Sequence, residues 1–216
     1  MLVHFVSEIP DSVMDGIGLV RPLVAEALRV VEGEFTDLDA PALLGATEVE
    51  VRLLAHPTRD CGWDQMRCSM KVTPPRIEAI APTAHPDVVE AAFPLDYDRL
   101  WYLKNFIHEC TALFLWLYRP STPAWSLREA PEWFVEGIEE YVAIERSVPE
   151  IRDRYRSHNL RRLLSNTVQN RFSAVANNYA DGYLIVLFMH ERYGATQVHR
   201  VLNRTSALLP NRRRAG

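Results

Sequence analysis

The chain of 216 residues has few cysteines, no excess of basic residues and no long apolar run. Its three cysteines, Cys61, Cys68 and Cys110, are too few and too irregularly spaced for a disulfide framework or a paired zinc knuckle. Acidic residues outnumber basic ones by 28 to 24, which argues against general attraction to nucleic acid or an anionic membrane. Since no apolar segment is long enough for a signal peptide or a membrane span, we expect a cytoplasmic, reduced protein.

The strand patterns lie in residues 1–95. Alternating apolar and polar residues predict three strands, at residues 3–9, 48–55 and 76–82. Between the first two, apolar residues recur at three- and four-residue steps and predict a helix that Pro22 kinks or splits. The segment 56–75, with two of the cysteines, reads as a loop or broken hairpin without an assigned role.

The helical patterns lie in residues 96–216. Predicted helices cover residues 96–119, 131–146, 151–166 and 177–193, the last ended by Gly194. Strands followed by helices indicate an α+β fold, with an N-terminal lobe and a helical lobe in one compact domain.

The first helix of the helical lobe contains two polar residues in an unusually apolar setting. In "NFIHECTALFLW", His108 and Glu109 project about 100° apart, so the carboxylate can reach from the side a cavity that the histidine faces. The zinc peptidase motif H-E-x-x-H begins in this way, but Ala112 stands where its second histidine would be. A His-Glu pair alone has little specificity, since it recurs at His190, and a satisfied structural histidine is the usual explanation.

The next helix, "EWFVEGIEEYVA", carries three glutamates on one side: Glu136, Glu139 and Glu140. Gly137 removes a side chain and predicts close approach of a neighbouring helix, despite a cost of about 1 kcal/mol in helix propensity. A solvated acidic face with a packing glycine is the simpler interpretation.

Together these segments resemble the gluzincin superfamily, specifically the peptidase MA-like proteins. The family's second helix reads W-x-x-E-G-x-x-E-Y, and the chain matches it at Trp133, Glu136, Gly137, Glu140 and Tyr141. Its later segment "YADGYLIVLFMHERYG" and its order of strands before helices are also similar to the family. The resemblance spans nearly the whole chain and implies a zincin-like fold with an active-site cleft between the two lobes.

The resemblance also implies roles for particular residues. His108 is similar to the first zinc ligand, Glu109 to the general base and Glu136 to the third ligand. Tyr179 or Tyr183 would stabilise an oxyanion, although a core tyrosine is the alternative. The edge strand near 76–82 would bind substrate by strand addition through Ile77, Glu78, Ala79 and Ile80.

Replacement of the second histidine by Ala112 leaves the cofactor unknown, with zinc one candidate. Residues considered as a compensating ligand are Glu140, which in any case belongs to the cleft, and the distant histidines His85, His158 and His190. Thr111 is a weak ligand, and Cys110 projects towards another side of the helix. The alanine is either natural or engineered.

Three hypotheses stay open. The first is a pseudoenzyme whose inherited cleft binds a small-molecule or peptide ligand. The second is a metal-independent enzyme that uses His108, Glu109 and Glu136 as acid and base groups. The third is a metallopeptidase-like hydrolase with a replacement ligand. None of them predicts a nucleic-acid or membrane partner, and the oligomeric state is not predicted.

Overall fold

The computed structural model describes residues 1–9, 15–56, 58, 68–72, 75–84, 96–118, 131–147, 149–168 and 178–204. Its strands are β1 (Leu2–Ser7), β2 (Glu48–Leu54), β3 (Cys68–Val72) and β4 (Pro75–Ile80). Its helices are α1 (Ile17–Glu34), α2 (Ala40–Gly45), α3 (Asp96–Tyr118), α4 (Glu132–Glu145), α5 (Pro149–Val168), α6 (Asn178–Tyr193) and α7 (Ala195–Arg204). The described part of the chain is therefore mixed α and β and mostly helical, with its sheet in the N-terminal part.

The sheet has the strand order β1-β2-β4-β3. Strands β1, β2 and β4 run parallel, and β3 is antiparallel to β4. Parallel neighbours need a long crossover, which α1 and α2 supply between β1 and β2. The predicted strands at 48–55 and 76–82 are confirmed as β2 and β4. The prediction that the 76–82 strand is an edge is wrong, because β4 pairs with β2 on one side and with β3 on the other.

The first helix is not split at proline. Helix α1 runs unbroken across Pro22, which lies on its exposed side near the N-terminal end. An N–H at this position would donate to the carbonyl oxygen of Gly18, so the proline removes one hydrogen bond from the helix without interrupting it. On another side of the helix Val20, Val24, Ala27 and Val31 are buried against the core, as the apolar spacing predicted.

One hydrophobic core joins the strands to the helices. The buried cluster includes residues of α1, β2, β4, α3, α4 and α6. The hydroxyl of Tyr102 on α3 donates to the carbonyl oxygen of Ile80 at 2.8 Å and ties that helix to the end of β4. The predicted lobes thus share a core. Within the described part of the chain, no helix is both long enough and apolar enough to cross a membrane.

Helices α4 and α6 touch at two glycines. A Cβ at Gly137 would lie 2.6 Å from the carbonyl atoms of Gly182, and one at Gly182 would lie 2.1 Å from the carbonyl oxygen of Trp133. Real Cβ atoms do not approach backbone so closely, so the helices stay in register only while both positions lack a side chain. The close approach predicted at Gly137 is confirmed.

A methyl group at this contact should destabilise the protein. We expect Gly182→Ala to lower the free energy of unfolding by about 1–3 kcal/mol, because the methyl group forces the two helix backbones apart. The control is Gly33→Ala in α1, where a Cβ meets nothing within 4 Å. Better helix propensity should stabilise that variant by about 0.5–1 kcal/mol. Urea unfolding measures both, and equal stability of the two variants would contradict the packing role.

Candidate metal centre

A buried histidine on α3 faces two carboxylates of α4. Nε2 of His108 lies 3.6 Å from Oε2 of Glu136 and 3.4 Å from Oε2 of Glu139. The two glutamates are three residues apart, so one turn of α4 presents both to the same point. The structure thus brings His108 and Glu136 together, as the resemblance implied, and adds Glu139.

The other ring nitrogen of His108 is held by a separate carboxylate. Nδ1 lies 3.1 Å from Oε2 of Glu140, close enough for an ion pair although not aligned as a hydrogen bond. The same oxygen accepts a hydrogen bond from Nζ of Lys104 at 2.6 Å. Lys104 precedes His108 by one turn of α3 and is itself buried. The ring is therefore oriented with Nδ1 towards Glu140 and Nε2 towards the glutamate pair.

Burial and the uneven charge shift the pKa values of this cluster. Burial alone lowers the pKa of His108, but Glu140, Glu139 and Glu109 outweigh it and raise the pKa to about 9. Burial raises the pKa of Glu139 well above its usual value, against the opposing effect of His108. Burial would also raise the pKa of Glu140, but Lys104 and His108 hold it well below the usual range. Without a cation, the cluster thus retains protons at neutral pH.

The spacing of these atoms suits a metal ion. The two distances from Nε2 exceed ordinary hydrogen-bond lengths of about 2.7–3.2 Å. Two ligand atoms about 2.1 Å from a tetrahedral ion are about 3.4 Å apart, and imidazole nitrogen and carboxylate oxygen are standard zinc ligands. The ligand atoms of His108, Glu136 and Glu139 all lie within 4.8 Å of one another. The side chains present therefore fit a divalent cation, with Glu140 as the carboxylate that orients the histidine from behind.

Two further predicted residues border the cluster. Glu109 is buried beside His108, and its charge contributes to the raised pKa values of Glu139 and Tyr179. The ring of Tyr179 on α6 stacks on His108 at 5.7 Å between centroids, with about half of the residue exposed. Burial and then Glu136 raise the pKa of this phenol, so it stays protonated and able to donate.

The other tyrosine candidate lies elsewhere. Tyr183 is fully buried, and its hydroxyl donates to Oε1 of Glu145 at 2.7 Å. Arg156 pairs with the same glutamate. Of the two tyrosines considered from the sequence, Tyr179 is the one at the cluster, and Tyr183 is the core tyrosine of the alternative interpretation.

The candidates for a replacement ligand are not at the cluster, apart from Glu140. The hydroxyl of Thr111 donates to the carbonyl oxygen of Ile107 at 2.8 Å, and burial raises the pKa of the Cys110 thiol. His158 is exposed on α5, and His190 belongs to a different cluster. His85 lies outside the described residues.

The strand predicted to bind substrate is part of the core. Ile77, Ala79 and Ile80 are buried, and Glu78 pairs with Arg76 at 2.8 Å. Because β4 has strand partners on both sides, it offers no free backbone edge to a peptide. The premise that residues 77–80 form a free edge is therefore wrong, and substrate binding by these residues stays a prediction.

Comparisons with known proteins add no information about the site. No family model, curated protein or solved structure matches the chain.

Two residues of the cluster were missed as site residues from the sequence. Glu139 was placed on the same side of α4 as Glu136, and its three-residue spacing from Glu136 was the available signal. Lys104 is a charged residue four positions before His108 in an apolar helix, which is a signal for a buried ion-pair partner.

The protonated histidine should make the metal-free protein sensitive to alkaline pH. The pKa of His108 rises from 6.5 to about 9 on folding. Its stabilising contribution is therefore complete below about pH 6.5 and lost as the pH rises through about 9. The difference corresponds to on the order of 3 kcal/mol.

Urea unfolding in the presence of a chelator, from about pH 6.5 to above about pH 9, measures this loss. The His108→Gln variant should lose clearly less stability over the same range, because it has no imidazole to deprotonate. Parallel curves for the two proteins would contradict the assignment of this titration to His108.

Proposed function

We propose that the protein is a zincin-like hydrolase of the peptidase MA-like type, with a divalent cation held by His108, Glu136 and Glu139. Glu139 would take the place of the second histidine of H-E-x-x-H. The observation that carries this proposal is the convergence of three ligand atoms from two helices within 4.8 Å, at separations suited to an ion. It favours the replacement-ligand hypothesis over the other two.

The charge of the cluster supports a cation. The groups whose charges act on one another in this cluster are four carboxyl groups and two basic groups. The carboxyl groups are those of Glu109, Glu136, Glu139 and Glu140, and the basic groups are those of Lys104 and His108. Burial and the charges of Glu136, Glu109 and Glu140 all raise the pKa of Glu139, and a cation between His108, Glu136 and Glu139 would offset this repulsion. A divalent ion would displace the proton of His108 and satisfy both facing glutamates at once.

Each remaining residue then has a function in hydrolysis. A bound cation would polarise the scissile carbonyl and lower the pKa of the attacking water. Glu109 would accept the proton of that water and pass it to the leaving amine. Tyr179, partly exposed and protonated, would donate a hydrogen bond to the developing oxyanion. Lys104 and Glu140 would keep the imidazole in position.

The raised pKa values favour a second candidate, a metal-independent acid–base enzyme. His108 and Glu139 both retain protons above their usual range, and Tyr179 stacks on the imidazole. A protonated His108 could therefore act as a general acid on a ligand bound beside Tyr179. The pseudoenzyme hypothesis, in which the cleft only binds a ligand, gives these protonated groups no role.

Metal content distinguishes the candidates. Chain purified without chelator should lose the zinc bound at the His108 cluster when Glu139 is replaced by Gln, because the amide has the same size but no charge. One ligand of a structural zinc site is worth very roughly 3 kcal/mol, so affinity should fall by about a hundredfold or more. Titration of stripped protein with zinc against a chromophoric chelator measures this. The matched control is Glu191→Gln on the exposed side of α6, which should bind as wild type.

A reciprocal exchange tests whether Glu139 truly substitutes for the missing histidine. Ala112 follows His108 by one helical turn and is half-buried. In a Glu139→Ala background, Ala112→His should therefore recover much of the lost zinc affinity. Wild-type protein that binds no divalent cation at the His108 cluster would overturn the metal proposal and leave the metal-independent candidate.

Activity tests the assignment of Glu109. We expect Glu109→Gln to lower kcat on a fluorogenic peptide library by about a hundredfold or more, with zinc content at the His108 cluster unchanged, because a general base is lost but no ligand. The control is Glu50→Gln on β2, whose carboxylate pairs with Arg52 at 3.0 Å and is not among the groups of the His108 cluster. Unchanged turnover in Glu109→Gln would exclude this residue as the base.

A further inference from the structure

A second group of ligand atoms lies where the end of α1 meets α6 and α7. Oε1 of Glu34, at the end of α1, lies 3.7 Å from Nε2 of His190 and 4.0 Å from Nε2 of His199. These three ligand atoms lie within 4.8 Å of one another. None of the residues belongs to the His108 cluster.

The turn between α6 and α7 creates this convergence. His190 lies in the last turn of α6, whose end is closed by a hydrogen bond from the Gly194 backbone N–H to the His190 carbonyl at 2.8 Å. Gly194 has a φ of 79°, which favours glycine and reverses the chain direction. His199 on α7 is thereby brought beside His190, with their ring centroids 6.4 Å apart.

Each imidazole is oriented by a contact on its other side. Nδ1 of His199 is hydrogen-bonded to Oδ1 of Asp37 at 2.8 Å, which directs Nε2 at Glu34. His190 stacks on Tyr141 with 4.4 Å between ring centroids. A carboxylate behind a histidine is the usual support of a metal-binding imidazole, because it fixes the tautomer and the direction of the free nitrogen.

The two oxygens of Glu34 have different neighbours. Oε2 accepts a hydrogen bond from Nε of Arg146 at 2.7 Å, and Oε1 faces the histidines. The distances from Oε1 to the imidazoles are longer than hydrogen bonds and a few tenths of an ångström wider than the roughly 3.4 Å expected around a tetrahedral ion. Small side-chain rotations would close this difference.

We propose that Glu34, His190 and His199 form a second divalent-cation site, of the two-histidine, one-glutamate type that suits zinc. Arg146 holds one carboxylate oxygen of Glu34, so the other oxygen is the atom directed at the two imidazoles. The site joins the end of α1 to the α6–α7 turn. A metal there would stabilise the packing of these three helices.

This proposal is independent of the proposed function, because the two clusters share no residue and each can be removed separately. Chelator-stripped full-length chain is titrated with zinc alone. We expect wild type to bind two zinc ions, Glu139→Gln to retain one, and Glu139→Gln/His190→Gln to retain none. In the single variant His190→Gln, zinc affinity of this site should fall by about a hundredfold or more.

Wild-type protein supplies a readout that does not depend on the folding of a variant. Zinc should shift the ring nitrogen resonances of His190 and His199 in long-range ¹H–¹⁵N spectra, and the Glu191→Gln control should respond as wild type. Histidine resonances that do not move at saturating zinc, or a Glu139→Gln chain without bound zinc, would overturn the second site. One zinc ion bound by wild type and lost in Glu139→Gln would, in that case, leave the proposed function standing.

Discussion

The backbone contact between α4 and α6 at Gly137 and Gly182 determines where the groups of the His108 cluster lie. It brings the carbonyl oxygen of Trp133 so close to Gly182 that any side chain there would separate the helices. Glu136 lies one residue before the first glycine, and Tyr179 lies three before the second. A shift of either helix would therefore change the position of Glu136 relative to the phenol of Tyr179, and a displacement of about 1 Å is enough to disturb a site of this kind.

The contact also explains how so much charge is buried. Because α4 is held by glycine packing on one side, its other side can carry Glu136, Glu139 and Glu140 towards α3 without relying on their mutual attraction for stability. These carboxylates repel one another, and burial adds to the cost. The surrounding apolar core, which runs from α1 through α3 to α6, supplies the favourable free energy that keeps them together. A structure of this kind is typical of a functional site rather than of a stabilising ion-pair network.

Much of this arrangement follows from local sequence signals. The spacing of apolar residues predicted α3, α4 and α6 within a residue or two, and β2 and β4 followed from alternation. The pairing of β4 could not be predicted, because β3 falls in a segment without a clear pattern and register between strands depends on distant contacts. Glu139 was visible on the correct side of α4. Its selection over Glu140 needed the rotation of α4 relative to α3, which tertiary packing sets.

The cluster of Glu34, His190 and His199 could not be predicted from local sequence patterns, for a different reason. Glu34 and His199 are separated by most of the chain, and no spacing rule connects them. His190 was visible only as the histidine of a repeated His-Glu pair. Gly194 is the one local signal for the contact between His190 and His199. A glycine at a helix end indicates a reversal of the chain, which places the following helix beside the preceding one.

In the proposed centre, a carboxylate in place of an imidazole changes the chemistry as well as the ligand count. Two carboxylates and one neutral imidazole cancel the charge of a divalent ion, whereas two imidazoles and one carboxylate leave one positive charge. The neutral centre withdraws less electron density from a bound water, so the pKa of that water falls less. Carboxylate ligands also suit harder ions such as manganese better than imidazoles do. More of the activation would then rest on the chain's own groups, on Glu109 for the proton and on Tyr179 for the oxyanion, and Lys104 would limit the negative charge by neutralising Glu140.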